Sequence, residues 1–302
     1  MMQMEASLPS RERHGMDVDT VVFATDLSDW SHNAGLYAAA FAQHFHARLL
    51  VAHAFVPSQA AMEAEAEGTP SSRQRTELSR ILARRASALA WGPIEPQPLL
   101  LEGTPQQEIP RLAEAGQHTL LALGTHGGSR LERTVLGSVA EAILRAVSTP
   151  CLTVGPKVPP VPHAGPEFRR ILYATDLTPA ASRAALFAVF FAEKFGANID
   201  VLHAVHDERG EHAHQVDDLR KGFREALDGL VPRYADQFAA AQIFVVGGGA
   251  RRKILEHIKE HKIDLLVLGI HKTPHHLGLE VRNTGAFQLL AMAACPVLTV
   301  VG

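Results

Sequence analysis

Cysteine is nearly absent. Only Cys151 and Cys295 occur in 302 residues, each beside a proline in a hydrophobic run: Pro150-Cys-Leu-Thr-Val154 and Cys295-Pro-Val-Leu-Thr-Val300. Two lone thiols exclude a disulfide framework, and matching positions in two separate units are not expected to bridge. They read as small buried hydrophobes in a reducing compartment. An excess of one charge is also missing. The 29 Lys and Arg against 32 Asp and Glu give a formal charge of -3, which offers no basic field for nucleic acid or anionic lipid. No run of 18 apolar residues occurs, so no membrane span is expected. Residues 1–16 lack an apolar stretch of signal-peptide length. A disordered extension and a cytoplasmic protein are expected.

What is abundant is self-similarity. Val21-Val-Phe-Ala-Thr-Asp-Leu-Ser28 matches Ile171-Leu-Tyr-Ala-Thr-Asp-Leu-Thr178 at an offset of 150. The offset holds without gaps to Ala54 and Ala204, with 14 of 34 positions identical. Both halves end on a Leu-Thr-Val run. A duplication is the simplest account. Between the copies, Gly155 to Pro166 holds five prolines in twelve residues, which rules out a helix or central strand and reads as a semi-rigid linker. The expected units are an extension (1–16), a first domain (17–155), a linker (156–168) and a second domain (169–302).

Each half alternates β-rich runs with helical stretches. The first reads as strands 20–25, 48–56, 96–101, 119–124 and 150–154, with helices near 30–46, 72–91, 105–116 and 138–148. The second reads as strands 170–175, 198–205, 242–246, 264–269 and 296–301, with helices near 179–196, 213–238, 250–261 and 284–294. Leu120-Leu-Ala-Leu and Leu265-Leu-Val-Leu are apolar throughout, as strands buried on both faces should be. Strands joined by helical crossovers pair in parallel. The fold class is therefore α/β: two tandem, doubly wound, Rossmann-like domains, each with a five-stranded parallel sheet.

Ligands of such sheets bind beyond the carboxyl ends of the strands. There the first half places Asp26, His53-Ala54, Glu102-Gly-Thr-Pro105 and Gly124-Thr-His-Gly-Gly-Ser-Arg130. The last continues as Gly124-x2-Gly127-x9-Gly137-Ser138, and a helix follows. Glycines let an anion approach backbone N–H groups, and a helix start supplies free donors and a positive dipole end. Arg130 and Arg133 add possible charge-assisted bonds. The pattern is neither a Walker loop nor a dinucleotide fingerprint. The alternative is structural: a tight turn, with Ser138 and Glu141 forming a capping box.

These residues resemble the universal stress protein family. The spacing G-x2-G-x9-G-S after a strand ending in Leu-Gly is similar to that family's ATP-binding signature. Ala24-Thr-Asp-Leu-Ser28 resembles its first strand and aspartate, and Leu49-Leu-Val-Ala-His-Ala54 its second strand. The resemblance covers nearly the whole chain, twice. It implies sheet order 3-2-1-4-5. It implies an ATP site, with Mg2+ accompanying the nucleotide, built from Ala24, Thr25, Asp26 and Ala54 around the base and from Gly124, His126, Gly127, Arg130, Gly137 and Ser138 around the ribose and phosphates. It also implies pairing of last strands, here between 150–154 and 296–301 within one chain, and leaves a homodimer possible.

The second half departs from the pattern. Asp176 and Ala204 remain, but Lys272 stands at the second glycine, Asn283-Thr284 replaces Gly137-Ser138 with one extra loop residue, and Gly247-Gly-Gly-Ala250 replaces Glu102-Gly-Thr-Pro105. A base pocket is expected to survive there without triphosphate binding, and His271, Lys272, His275, His276 and Arg282 suit another anion.

No nucleophile–base pair stands out, so a dedicated enzyme is not expected. Ser28 and Thr178 read as N-caps. His53 and His203 read as hydrogen-bonded structural groups. The histidines of His206-Asp-Glu-Arg-Gly-Glu-His-Ala-His214 fit no common zinc spacing, and no metal ligand is named. Three functions are weighed. The first is an ATP-binding regulatory or stress-response protein. The second is a slow ATPase, and the third a carrier or chaperone-like module whose second domain holds a non-nucleotide anion or lipid.

Overall fold

The computed structural model describes residues 17–58, 72–90, 92–126, 136–162, 165–205, 224–225, 240–271 and 284–302. In the first half these form β1 (Thr20–Ala24), α1 (His32–Phe45), β2 (Arg48–Phe55), α2 (Ser72–Ser87), β3 (Gln97–Glu102), α3 (Pro105–Glu114), β4 (Thr119–Gly124), α4 (Ser138–Ala146) and β5 (Cys151–Val154). The second half follows with β6 (Arg170–Ala174), α5 (Pro179–Phe195), β7 (Asn198–Val205), β8 (Gln242–Gly247), α6 (Ala250–Glu260), β9 (Leu265–Ile270), α7 (Thr284–Met292) and β10 (Val297–Val301). Most of the helix expected at 213–238 lies outside the described residues.

Within each half every strand pair is parallel, and the first half has order β3-β2-β1-β4-β5. The apolar runs explain this. Residues Thr119–Leu123 of β4 and Leu265–Leu268 of β9 are buried, covered by helices on both faces. The full sheet has ten strands, in the order β3-β2-β1-β4-β5-β10-β9-β6-β7-β8. At its centre β5 and β10 run antiparallel, with Leu152 opposite Leu298. Two buried threonines lock this seam reciprocally. Thr153 Oγ1 donates to the Val297 carbonyl at 3.2 Å, and Thr299 Oγ1 to the Cys151 carbonyl at 3.3 Å.

One apolar cluster runs across both halves on the face carrying α1 and α5. Phe41 meets Phe191 at 5.7 Å between ring centroids, and Phe45 stacks on Phe190 at 5.7 Å. Phe168, at the end of the linker, sits 5.1 Å from Phe41 and 4.5 Å from Phe195. The linker's prolines carry no N–H and cannot join a sheet, and α1 takes up two of its carbonyls instead. Asn33 Nδ2 donates to the Val158 and Pro159 carbonyls, and the Tyr37 hydroxyl to that of Pro159. Cys151 and Cys295 are both free and buried, and burial drives their thiol pKa values upward, which keeps them protonated.

Candidate functional site

In the first half the connection reverses direction between β1 and β4. From β1 the chain moves to β2 and β3 on one side, then crosses to β4 and β5 on the other. Such a switch point opens a crevice beyond the carboxyl ends of the strands. Ala24 pairs with Ala52 and Leu123 on its two neighbours. Thr25 and Asp26 therefore leave the sheet beside Gly124, and Ala54 lies near the end of β2 with 6% exposure.

The turn after β1 is over-determined. Leu27 has φ 63°, a left-handed conformation that costs a leucine roughly 1–2 kcal/mol. Three hydrogen bonds hold it there. The Leu27 N–H donates to Thr25 Oγ1 at 3.0 Å. The Ser28 N–H and hydroxyl both donate to Asp26 Oδ1, at 3.0 and 2.6 Å. Ser31, buried at 5%, closes the turn by donating to the Ser28 carbonyl and meeting Thr25 Oγ1 at 2.9 Å. Strain maintained this way is typical of sites that fix a side chain for use. Here it fixes the exposed Asp26 carboxylate at the mouth of the crevice. Ser28 caps only a short 3-10 turn (Asp29–Ser31), its hydroxyl is turned back to Asp26 and makes no cap bond, and the residue preceding α1 is Ser31.

The second half repeats the turn. Leu177 has φ 62°, its N–H donates to Thr175 Oγ1 at 3.0 Å, and Thr178 donates twice to Asp176 Oδ1, at 3.0 and 2.6 Å. Behind each turn a histidine bridges two strands. His53 Nδ1 lies 2.8 Å from the Thr25 carbonyl, and His203 Nδ1 lies 2.9 Å from that of Thr175. Both histidines are thus structural braces of the aspartate turns. The turn after the third strand is shared too. Gly103 and Gly248 take φ 139° and 114°, and their N–H groups donate to the Phe55 and Val205 carbonyls. The departure expected at Gly247-Gly-Gly-Ala250 is one of side chains, since the backbone path is the same.

On the other side of the crevice stands the start of α4. Its N-cap is Gly137, with φ −62° and ψ 141°, and no side chain caps it. The capping box expected of Ser138 and Glu141 does not form. Ser138 is the first helical residue rather than the cap, and Glu141 instead pairs with Arg145 at 2.7 Å. The Gly137 N–H is already committed to the Thr125 carbonyl at 2.8 Å. The first amide with a helical acceptor is Glu141, so those of Ser138, Val139 and Ala140 have none within the helix. A Cβ added at Gly137 would lie 3.3 Å from the Thr125 carbonyl oxygen. His126 Nδ1 sits 2.8 Å from Thr125 Oγ1. Gly127 and Arg130 lie outside the described residues, as do Arg133, Lys272, His275, His276, Arg282, Asn283 and the histidines of 206–214.

Ser31 and Thr125 escaped the sequence reading. Ser31 lies in no glycine or charge pattern, Thr125 fills an unspecified position of the glycine pattern, and only the folded geometry shows them bracing the two walls. It also missed Asp200, His257 and His261, the one group among the described residues whose ligand atoms cluster closely enough for a metal ion. The signal available was His257-x3-His261, two histidines on one face of a helix.

With this geometry in place, comparison with known proteins is specific. The model of the universal stress protein family matches residues 18–155 and again 167–300. A universal stress protein of Methanocaldococcus jannaschii is 31% identical over 137 residues, which is 44% of this chain and 80% of that protein. Another, from Thermus aquaticus, is 32% identical over 135 residues, 45% of this chain and 97% of that protein. A crystal structure of a universal stress protein from Archaeoglobus fulgidus superposes with a TM-score of 0.62, covering 93% of this chain and 97% of that one at 18% identity. The family model thus covers both halves of this chain, each ending its first strand on the same aspartate turn, and the chain belongs to the universal stress protein family.

Proposed function

We propose that the first half binds ATP at the crevice between β1 and β4 and that the chain acts as a nucleotide-dependent regulatory protein of the stress response. One observation carries this reading: the braced Asp26 turn faces the uncapped start of α4 across the switch point. The donor chemistry fits an adenine nucleotide. Asp26 and the main chain at Ala54 suit the base and ribose, and the amides of Ser138, Val139 and Ala140 suit phosphate oxygens. Gly124, His126 and Gly137 lie between them, and Gly127 and Arg130 belong to the same glycine-rich sequence pattern. Mg2+ would accompany the nucleotide and neutralise its phosphates.

The second half supports a retained flat-group pocket at Asp176, since its turn matches that of Asp26 to within 1° at the strained leucine. The β5–β10 ladder serves as the chain's own version of a pairing between two copies. A cytoplasmic location agrees with the two protonated, unpaired thiols.

The test is a count of nucleotide per chain. Protein purified without added nucleotide is denatured, the released small molecules are identified, and the refilled protein is titrated with ATP. One ATP per chain is expected. Two would contradict the assignment of the second half, and none would overturn the site.

A further inference from the structure

The second half buries a cluster of polar, metal-ligating residue types where the first half is apolar. Asp200, the third residue of β7, is 1% exposed, and His257 on α6 is 5% exposed. His257 Nε2 lies 2.9 Å from Asp200 Oδ2, and His261 Nδ1 lies 3.9 Å from the same oxygen. The two imidazoles are stacked, with centroids 3.9 Å apart and 12° between planes. Phe244 packs edge-on to both, at 4.4 and 5.0 Å. The other carboxylate oxygen, Asp200 Oδ1, is buried and has no hydrogen-bond partner among the described residues. The nearest cation to it is Arg170 Nε at 3.9 Å, beyond hydrogen-bond reach.

Burying a carboxylate and an imidazole costs several kcal/mol unless their partners are well placed. The fold does not require them. The strand registers Leu50↔Gln97 and Asp200↔Gln242 put Leu50 at the matching place in the first half. Counting from the helix starts, His257 and His261 are the eighth and twelfth residues from Ala250, and the same steps from Pro105 reach Leu112 and Gly116. There Leu50 and Leu112 simply pack against the apolar core. The same architecture is thus built from leucine in one copy and from titratable ligands in the other.

We propose that Asp200, His257 and His261 form a binding site for a divalent transition metal, with zinc the best fit. Two histidine nitrogens and one carboxylate oxygen match zinc's preferred donors and leave a fourth position for water. Ligand bonds of about 2.0–2.1 Å at tetrahedral angles put donor atoms roughly 3.3 Å apart. The present spacings of 2.9 and 3.9 Å straddle that value, and the three donor atoms lie within 4.8 Å of one another. Opening the His257–Asp200 hydrogen bond and turning the two stacked imidazoles so that both lone pairs converge beside Asp200 Oδ2 would bring the three donors to that spacing. The metal would take the place of the proton that now bridges His257 and Asp200.

The helix dipole favours a cation here, and a neighbouring side chain can position the carboxylate. His261 is the C-cap of α6, at the negative end of that helix dipole. Arg170, whose Nη1 also donates to the His261 carbonyl at 3.4 Å, sits on the Oδ1 side of Asp200. There it can hold the carboxylate while Oδ2 binds metal, as outer-shell partners do. The cluster lies toward the amino ends of the strands, since Asp200 is near the start of β7 and His261 follows the end of α6. It is therefore at the opposite end of the sheet from Asp176, and metal binding is independent of any nucleotide there.

The experiment titrates Zn2+ into the full chain, stripped of metal by chelator and free of nucleotide, by calorimetry, with Co2+ absorption as a second probe. The expected result is one tight zinc per chain, a rise in Tm with zinc, and visible cobalt bands characteristic of a four-coordinate site. His261→Ala removes the most exposed ligand, so the fold should survive. It should weaken binding at least about 100-fold, more than the loss of an outer-shell partner does, and abolish the cobalt bands. Asp200→Leu installs the first half's own residue and should do the same in a stably folded chain. Replacing His206, His212 and His214 together by alanine should leave the tight zinc in place. Unchanged zinc affinity in both His261→Ala and Asp200→Leu would overturn the proposal. So would loss of the zinc only in the triple alanine variant, or no tight zinc in the wild type.

Discussion

The two halves keep the same backbone and spend their side chains differently. Both hold a leucine at positive φ after the first strand, both tie an aspartate to the next hydroxyl residue at 2.6 Å, and both brace the turn with a histidine. Beyond those turns they diverge. The first half sets Gly137 before α4, while the second has Asn283 before α7 and a buried Asp–His–His cluster at its far end. The comparison teaches that the aspartate turn belongs to the fold's framework. The proposed phosphate and metal sites would be additions that each copy could gain or lose alone. Substitutions at matched positions separate framework from addition.

The largest effect should come where the halves are not separable. Phe191 is fully buried and touches Phe41 and Phe45 across the boundary, at 5.7 and 5.3 Å. Phe191→Ala should cost about 3–5 kcal/mol, the usual range for deleting a buried phenyl ring. Because the ring belongs to one shared core, thermal unfolding should remain a single transition shifted downward. Two resolved transitions in calorimetry would show that the halves fold independently and would break the picture of a common core.

Next in size is the loss of nucleotide from one half alone. In Gly137→Val the new side chain meets the Thr125 carbonyl, 3.3 Å from its Cβ, and projects into the space before the α4 amides. ATP affinity should fall at least about 100-fold, equivalent to about 2.7 kcal/mol, while circular dichroism stays unchanged. Wild-type affinity in this variant would remove Gly137 from the site. Lys272→Gly in the second half should not create a second ATP site, because Asn283 and the extra loop residue remain.

How much of this was visible before folding follows the same division. The strands are legible because parallel strands covered on both faces must be apolar throughout. The readings at 119–124 and 198–205 match the observed β4 and β7 at both ends. The repeat offset made the two matching halves legible, and the aspartates stood out because they end those runs. The framework bonds were not legible. Nothing in the string Thr25-Asp-Leu-Ser28 announces that the leucine takes φ 63°, since left-handed turns usually advertise themselves with glycine or asparagine. The capping box at Ser138 and Glu141 was misread for a related reason. A cap needs extended backbone, and here that conformation falls on Gly137. The metal ligands were hidden by distance, because Asp200 and His257 are 57 residues apart in sequence and become neighbours only through β7 and α6.

A matched pair of aspartates tests whether framework and addition can be separated. Asp26→Asn and Asp176→Asn keep the oxygen that accepts from Ser28 or Thr178 and remove only the charge. Each should cost no more than about 1 kcal/mol in stability, the scale of one exposed hydrogen bond. ATP affinity should fall about ten-fold in Asp26→Asn, or about 1.4 kcal/mol, and stay unchanged in Asp176→Asn. An equal loss in both would mean that the second half also contributes to the measured site.

The smallest effect concerns the position where the first half carries Tyr37 and the second, at the repeat offset, carries Phe187. Burial raises the Tyr37 pKa from 10.0 to about 12, and its hydroxyl donates to the linker carbonyl of Pro159 at 3.3 Å. A folded-state pKa above the unfolded one stabilises the fold fully below pH 10, where both states are protonated. That contribution fades as pH rises from 10 toward 12, because the unfolded chain loses its proton first. Tyr37→Phe gives the first half the second half's residue. At pH 8 it should cost about 0.5–1 kcal/mol, a single long hydrogen bond, and it should make denaturant midpoints fall less steeply between pH 10 and 12. Some alkaline decline should persist, since burial also raises the Tyr173 pKa. An unchanged slope in Tyr37→Phe would mean that the linker lifts away from α1 easily enough for the phenol to ionise in water, and that the seam between the halves rests on the β5–β10 ladder and the phenylalanine core alone.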